Sequence, residues 1–438
     1  MTSEVIVMNK EAVAIAADSA ATLTGEKIFK TNKIFTLSKY QPVGIMIYGS
    51  SQFIGIPWES VIKVYRKKLG KKKFKNLKDY CDDFIKFLET EKSVLLMNLD
   101  QRIENQINHF IYAFFSEIRE RINQKITDKI EEEGQITLEK IQEITDRVIN
   151  DFQNYCKEIG FPKSFSENDI QKLKTQHSGL VIKASEKVFE KLPINNKIDE
   201  LSFIAFSGFI KLYIKDQMSG VVIVGFGENE IFPSYVEFIT YGIINDSSRI
   251  TGKDAKSINF ETRASISAFA QGDVVETFMT GIAPDLRELY ENTLPQIFDE
   301  NHNKVVENLP IEESNKIDID NKLKDINERL LKEFKKTVDI FKQDHFISPI
   351  MEIVAHLPKD ELAEMAESLV NLTSFKRRVS TEMESVRGPF DVALISKGDG
   401  FIWVKRKHYF EPELNPQFQV NYFNEGIRSR RFWQWKNR

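Results

Sequence analysis

Residues 2–19 read TSEVIVMNKEAVAIAADS. The apolar run at residues 4–8 predicts a first strand, and the polar residues 9–11 predict a turn. Residues 12–17 are apolar throughout and predict a second strand, which ends at Asp18. The start of the chain is therefore expected to be a strand–turn–strand unit that closes on an acidic side chain.

The rest of the first 70 residues continues this pattern and then changes it. Residues 33–37 and 43–48 are two more strand candidates. Gly49 and the serines after it break the pattern, and residues 54–69 take on a helical period. Three turn positions, Asp18, Lys33 and Gly49, thus lie at strand ends.

Beyond residue 70, helical and strand-like segments alternate. Residues 71–215 are poor in glycine and place apolar residues every three or four positions, which is typical of amphipathic helices. Strand signals return at residues 220–225 and 231–241, and a hairpin is predicted across residues 390–405. Strands at both ends with helices between them predict packed sheets covered by helices, the α+β class. The expected segments are 1–70, N-terminal part of the core; 71–215, helical insertion; 216–282, core strands and helix; 283–350, second helical insertion; 351–410, closing helix and hairpin of the core; and 411–438, a basic and aromatic C-terminal tail.

Composition narrows the function class. The 438 residues are 41% hydrophobic and 29% charged, which indicates a globular chain, and the net charge of -4 gives no sign of a nucleic acid or membrane partner. The basic run at residues 66–73 is expected to be a solvated helix end rather than a phosphate-binding surface. The C-terminal tail could equally dock a neighbouring subunit or fold back on its own domain.

Cysteine and histidine usage gives no metal motif. Cys81 and Cys156 lie in helix-like sequence without CxxC spacing, so reduced thiols are expected, and the six histidines are scattered. Neither a secretory signal nor an apolar run of about 18 residues is present, so we expect a cytoplasmic protein without a membrane span. No metal or organic cofactor is expected.

Thr2 carries the main chemical hypothesis. Removal of Met1 would leave Thr2 at the terminus, where its hydroxyl is a nucleophile and its own α-amine is a general base. An α-amine has a pKa of roughly 8, which allows it to accept a proton near neutral pH. Such a nucleophile needs a nearby ammonium group, a carboxylate to fix that ammonium group, and an N–H aimed at the oxyanion.

The same residues carry a resemblance. The run from Thr2 to Asp18 resembles the start of a mature proteasome β-subunit or of the related bacterial proteasome-like peptidase, with the same spacing and an Ala-Ala-Asp-Ser end. Residues 32–35 resemble the stretch with the family's catalytic lysine, and residues 47–50 resemble the strand end with its oxyanion glycine. Residues 219–238 and 390–404 are similar to later hairpins of that family. The chain is thereby identified as a divergent, bacterial-type member with large helical insertions.

The resemblance implies a fold, a site and partners. The implied fold is the N-terminal nucleophile (Ntn) hydrolase αββα sandwich, in which two stacked antiparallel sheets are flanked by helices, here with a helical insertion. Carried over, Thr2 is nucleophile and base, Lys33 adjusts its pKa, Asp18 holds Lys33, and Gly49 donates to the oxyanion. The implied activity is a threonine-type peptidase that acts on a peptide or unfolded protein, in a homo-oligomer that could be a ring.

Departures from the family pattern keep two alternatives open. The family's Gly-Ser-Gly before the third helix is replaced by Ala270-Gln271-Gly272, and residues 384–388 do not align with its Asp and Ser. A scaffold or regulatory subunit that keeps the fold without the chemistry fits these changes. An amidase for small molecules is the other alternative. The sequence does not name a partner ATPase.

Overall fold

The computed structural model describes most of the chain. It covers residues 3–23, 27–91, 98–162, 164–194, 196–212, 218–244, 247–308, 313–380, 388–408 and 410–417. The strands are β1 Ser3–Asn9, β2 Ala12–Ala17, β3 Ala20–Leu23, β4 Lys27–Lys30, β5 Ile34–Thr36, β6 Val43–Gly49, β7 Gln52–Phe53, β8 Ile56–Pro57, β9 Ser219–Gly225, β10 Ser234–Ile244, β11 Ser247–Ser257, β12 Ala264–Ala270, β13 Asp391–Ser396 and β14 Gly400–Lys405. The helices are α1 Trp58–Leu69, α2 Leu77–Thr90, α3 Leu99–Glu133, α4 Leu138–Glu158, α5 Glu167–Phe189, α6 Ile198–Lys211, α7 Asp273–Thr280, α8 Pro284–Asn308, α9 Glu313–Lys342, α10 Ser348–Val354 and α11 Lys359–Val379.

Two five-stranded antiparallel sheets form the centre of the molecule. The first has the order β12-β1-β2-β13-β14, and the second has the order β11-β10-β9-β6-β5. The first pairs β1 with β2 in the register Glu4↔Ala17, and the second pairs β6 with β9 in the register Gly49↔Ser219. Two small hairpins, β3–β4 and β7–β8, stand outside these sheets.

The two sheets stack face to face through alternate residues of each strand. In the first sheet Ile6, Met8 and Ile15 point into the space between the sheets, where they meet side chains such as Met46 and Val222 of the second. Both strands of the opening hairpin are buried on both faces, which explains why their sequences are apolar without alternation.

Helices cover both outer faces. Ala12, Ala14 and Ala16 face away from the second sheet, and their small side chains lie against α11 through Leu362 and Ala366. The outer face of the second sheet is covered by α1, α2 and the helices up to α6, which share one large apolar core with it. The layers are therefore helix, sheet, sheet and helix, and the expected αββα sandwich with helical insertions is confirmed.

Several elements differ from the sequence expectations in detail. The hairpin β3–β4 and strand β11 were not predicted, and Lys33 stands just before strand β5 rather than inside it. Residues 384–387, where the closing part of the resemblance failed to align, lie outside the described residues, as do Thr2 and residues 418–438. Within the described ranges, no helix has both the length and the apolar character needed to cross a bilayer.

Candidate functional site

Asp18 is the centre of a buried cluster at one end of the sandwich. It directly follows β2, where the β1–β2 ladder brings it opposite Ser3, and the two backbones bond through Asp18 N–H to Ser3 O at 3.1 Å. Its carboxylate accepts the Ser3 N–H at 2.9 Å through Oδ1 and the Ala20 N–H at 2.9 Å through Oδ2. Asp18 is fully buried, so these bonds and one cation replace its lost hydration.

Lys33 supplies that cation. Its Nζ lies 2.6 Å from Asp18 Oδ1, and its side chain is 5% exposed. Lys33 belongs to the second sheet's edge, because its carbonyl accepts the N–H of Ile47 in β6 at 2.9 Å. The ion pair therefore joins the two sheets at the end of the sandwich where Ser3, the neighbour of Thr2 in the chain, is held.

Gly49 ends strand β6 on the same side. Its φ of +79° is a left-handed conformation that glycine adopts without steric cost. A Cβ at this position would lie 2.3 Å from the carbonyl oxygen of Met218, so a side chain does not fit. Gly49 is exposed, whereas the preceding Tyr48 is buried. The conformation that requires glycine thus occurs where the strand reaches solvent.

The structure brings some of the predicted site residues close together. Asp18 and Lys33 are in direct contact, and Gly49 is two residues beyond the Ile47 that bonds to Lys33. Thr2, the predicted nucleophile, lies outside the described residues, and the hydrogen bond from Ser3 N–H to Asp18 is the described feature next to it in the chain.

Glu4 is a buried acid that the sequence did not single out. It shares the inward face of β1 with Ile6 and is 0% exposed, and neither carboxyl oxygen has a hydrogen-bond partner among the described residues. Burial raises the pKa of Glu4 to about 8, opposed by Lys33 and reinforced by Asp18. Glu4 therefore keeps its proton at neutral pH. A lone acid at an inward position of an apolar strand is the signal that could have found it.

Tyr48 extends this cluster across the second sheet. Its hydroxyl donates to Glu237 of β10, and its ring lies against Gly220, where a Cβ would be 1.9 Å from Cζ of the tyrosine. Burial and the bond to Glu237 raise the pKa of Tyr48, and burial raises the pKa of Glu237. Burial between the sheets thus raises the pKa of two carboxyl groups and of one phenol in this cluster.

A second lysine–aspartate pair lies nearby. Asp391 is the first residue of β13 and lies opposite Ala17. Its carboxylate accepts one hydrogen bond from Nζ of Lys407 at 2.7 Å and another from the backbone N–H of Lys407 at 2.8 Å. Burial lowers the pKa of Lys407, and the positive charge of Lys33 acts in the same direction. Lys407 lies near the end of the closing segment, residues 351–410, and no sequence motif had indicated a role for it.

The described residues give no metal centre. No group of three or more His, Cys, Asp or Glu side chains within them could hold an ion. Cys81 and Cys156 are both buried and unpaired, and burial raises the pKa of the Cys81 thiol to about 12 and of the Cys156 thiol to about 11. Both are therefore poor nucleophiles at neutral pH.

The fold is a sandwich of two stacked antiparallel sheets flanked by helices, with further helices inserted between the core strands. No family model matches the chain, and no curated protein matches it. Similar solved structures include the helical assembly of the Anbu complex from Pseudomonas aeruginosa, at 7% identity over 97% of each chain with a TM-score of 0.31. Others are Anbu (ancestral beta-subunit) from Yersinia bercovieri, at 7% identity over 98% of this chain and 97% of that one with a TM-score of 0.27, and an Anbu (Gly-1) mutant from Hyphomicrobium sp. strain MC1, at 7% identity over 99% of each with a TM-score of 0.27.

These comparisons correct the family expected from the sequence. The expectation of a divergent, bacterial-type proteasome β-subunit is wrong, because no family model matches and the similar structures above carry the name Anbu. The resemblance rested on a strand–turn–strand unit and short strand ends, which specify a local fold that distant families can share. At the TM-scores found, likeness to any one of these structures carries no argument about function.

Proposed function

We propose that the protein is an N-terminal nucleophile amidohydrolase that cleaves peptide bonds with Thr2, after removal of what precedes it, Met1 in the printed sequence. The observation that carries the proposal is the buried Lys33–Asp18 pair, anchored to the backbone N–H of Ser3. A buried ion pair costs desolvation energy and is weak evidence for stability alone. Its position beside the residue that follows Thr2 gives it a chemical purpose.

The acylation step begins with proton transfer within Thr2. Its α-amine takes the proton of Oγ, and Oγ forms a bond to the substrate carbonyl carbon. The Lys33 ammonium, held by Asp18, adds positive charge that favours the alkoxide form. A backbone N–H at Gly49 is the proposed donor to the oxyanion. The C–N bond then breaks, and the α-ammonium returns its proton to the leaving amine.

The second half of the reaction releases the acyl group. Water loses a proton to the α-amine and adds its oxygen to the ester carbon. The bond from carbon to Oγ breaks, and Oγ recovers the proton from the α-ammonium. The sum is one amide and one water converted into one acid and one amine, without an oxidant, a metal or a cofactor.

The first test is the N-terminus of protein expressed in its native host. Intact mass and N-terminal sequencing should show a chain that begins at Thr2. Incubation with a β-lactone or an epoxyketone should then add one label per chain at Thr2. Thr2→Ala should abolish the label, and Thr2→Ser should retain it because serine keeps a hydroxyl beside the α-amine.

A matched control separates loss of chemistry from loss of structure. Thr90 is an exposed threonine at the end of α2, and Thr90→Ala should leave labelling unchanged. A chain that keeps Met1, or labelling that persists in Thr2→Ala, would overturn the proposal and leave the scaffold alternative. For a labelled enzyme, comparison of casein with small amides as substrates separates a peptidase from an amidase.

We further propose that the chain assembles with copies of itself. Helices α8 and α9 expose many large apolar side chains, and a soluble monomer rarely leaves so many on one hairpin. They are Leu286, Leu289, Ile297, Val305, Ile317, Ile326, Leu330, Phe334, Ile340 and Phe341, each at least 40% exposed. Light scattering should give a multiple of the 50.8 kDa chain mass. Leu289→Glu should reduce that mass, and a monomeric wild type would refute the idea.

A further inference from the structure

A cavity of about 310 Å³ opens next to the end of strand β6. It is bounded by the turn after that strand, by one face of α3 and by the end of β10. Its lining residues are Ser50, Gln52, Phe53, Ile54, Gly55, Arg102, Asn105, Gln106, His109, Ser219, Thr240, Tyr241 and Gly242. Ligand pockets in proteins begin at about this volume.

The cavity adjoins the proposed catalytic end of the sandwich. Ser50 follows Gly49 directly, and Ser219 pairs with Gly49 across the β6–β9 ladder. From Ile47, which bonds to the Lys33 carbonyl, the chain needs three residues to reach Ser50, or about 10 Å at the rise of a strand. A peptide whose scissile carbonyl lies at Gly49 can therefore place a nearby side chain in the cavity.

One wall is held in a strained conformation. Ile54 has a φ of +49°, a left-handed conformation that is strained for a β-branched residue, and Gly55 follows with a φ of +76°. Arg102 of α3 holds this turn, because its Nη1 donates to the Ile54 carbonyl at 3.2 Å. Strain of this kind persists where surrounding contacts fix it, and it is common at ligand sites.

The facing wall is shaped by the absence of a side chain. Gly242 in β10 has a φ of +97°, and a Cβ there would lie 3.3 Å from Cγ1 of Ile54 and 3.6 Å from Oε1 of Gln106. Glycine at this position keeps the cavity open between the strained turn and α3. Three different elements thus converge on one defined space.

Among the described residues, the lining combines apolar and polar side chains, and its permanently charged group is the guanidinium of Arg102. His109 of the same helix adds an imidazole, and neither aspartate nor glutamate occurs among the described lining residues. Asn105 and Gln106 add amide groups from the same helix face. Partial burial lowers the pKa of Arg102, but a guanidinium stays charged in proteins. Such a lining favours a carboxylate, which accepts hydrogen bonds from guanidinium and amide groups and offers opposite charge.

We propose that this cavity is a specificity pocket that receives the carboxylate side chain of an acidic residue in the peptide substrate. The assignment rests on the proposed peptidase function, and α3, which lies in the helical segment between the core strands, supplies its charge. The pocket selects glutamate over glutamine because only glutamate offers the Arg102 guanidinium an ionised acceptor of opposite charge.

Binding tests the pocket without turnover. In the Thr2→Ala variant, fluorescence anisotropy with fluorescein-Ala-Ala-Glu-amide should give a Kd at least about 10-fold lower than with the glutamine counterpart, as expected for one charge-assisted bond. Adding Arg102→Gln or the exposed His109→Gln should reduce that ratio. Arg102→Lys should keep most of it, and Arg121→Gln, an exposed cation elsewhere on α3, should leave it unchanged.

Turnover gives the second readout in protein with an intact Thr2. The kcat/KM for an Ala-Ala-Glu fluorogenic amide should exceed that for the glutamine analogue, and His109→Gln should lower the glutamate value selectively. Selective binding without hydrolysis would refute the proposed activity and support the pocket. Hydrolysis with equal preference for glutamate and glutamine would refute the pocket and leave the activity standing. Equal binding of both peptides would likewise refute the pocket.

Discussion

Replacing Glu4 with glutamine removes a buried acid and keeps its shape. In the native protein Glu4 is fully buried between the two sheets without a hydrogen-bond partner among the described residues, and burial raises its pKa from 4.5 to about 8. Between those values the folded protein holds a proton that the unfolded chain releases. The free energy of unfolding must therefore decrease as the pH rises through this window.

The size of the effect follows from linkage. A proton bound only in the folded state changes the free energy of unfolding by about 1.36 kcal/mol per pH unit. Between about pH 5.5 and pH 7.5 the Glu4 contribution amounts to about 2.5 kcal/mol, allowing for partial ionisation near pH 8. The decrease in the free energy of unfolding that Glu4 causes is absent below the unfolded pKa of 4.5 and complete above about pH 8. Glutamine does not ionise, so Glu4→Gln removes this dependence.

Urea unfolding at the two pH values measures the difference. From about pH 5.5 to about pH 7.5, the free energy of unfolding of Glu4→Gln should rise by about 2.5 kcal/mol relative to that of the wild type. This relative rise does not depend on how stable the variant is at the lower pH. Glu11→Gln, an exposed acid in the turn after β1, is the matched control and should show no such gain. A difference between Glu4→Gln and wild type that stays constant with pH would refute the reasoning.

The remaining predictions concern the strand end and the ion pair. Gly49→Ala should lower the free energy of unfolding by about 2–5 kcal/mol, since it adds a left-handed strain of about 1–2 kcal/mol and a clash with a carbonyl at 2.3 Å. Gly134→Ala has a similar φ of +76° and open space, so urea unfolding should show the strain alone. Lys33→Met should cost about 3–5 kcal/mol because Asp18 keeps a buried, uncompensated charge. The exposed Lys63→Met should cost at most about 1 kcal/mol by the same method, and equal losses at both lysines would contradict the argument.

The opening hairpin and the layers were predictable because burial on both faces leaves a clear sequence signal. The apolar runs of β1 and β2 need no knowledge of their partners. Strand β11 reads SSRITGKDAKS, and its second half is exposed at the edge of the sheet, so no apolar pattern marked it. Its pairing with β10 makes it a strand, and that pairing is a tertiary fact.

The candidate site was predictable only where residues end strands. Asp18 and Lys33 were expected to converge because both stand at strand ends, and the structure brings them to 2.6 Å. Glu4, Tyr48 and Lys407 were missed because their chemistry depends on burial in the folded chain, which no local sequence pattern reveals. The family was misjudged because a short hairpin motif specifies geometry over a small part of the chain.

The packing of the Tyr48 ring over Gly220 makes the residues allowed at these two positions depend on each other during evolution. Any side chain at residue 220 would overlap the tyrosine ring, with its Cβ 1.9 Å from Cζ. A descendant that acquires alanine there must already have lost the ring at residue 48, so the order of substitutions is constrained. Homologous sequences should therefore vary at these two positions together, and an alignment that shows them drifting independently would mean that the strands are packed differently in those relatives.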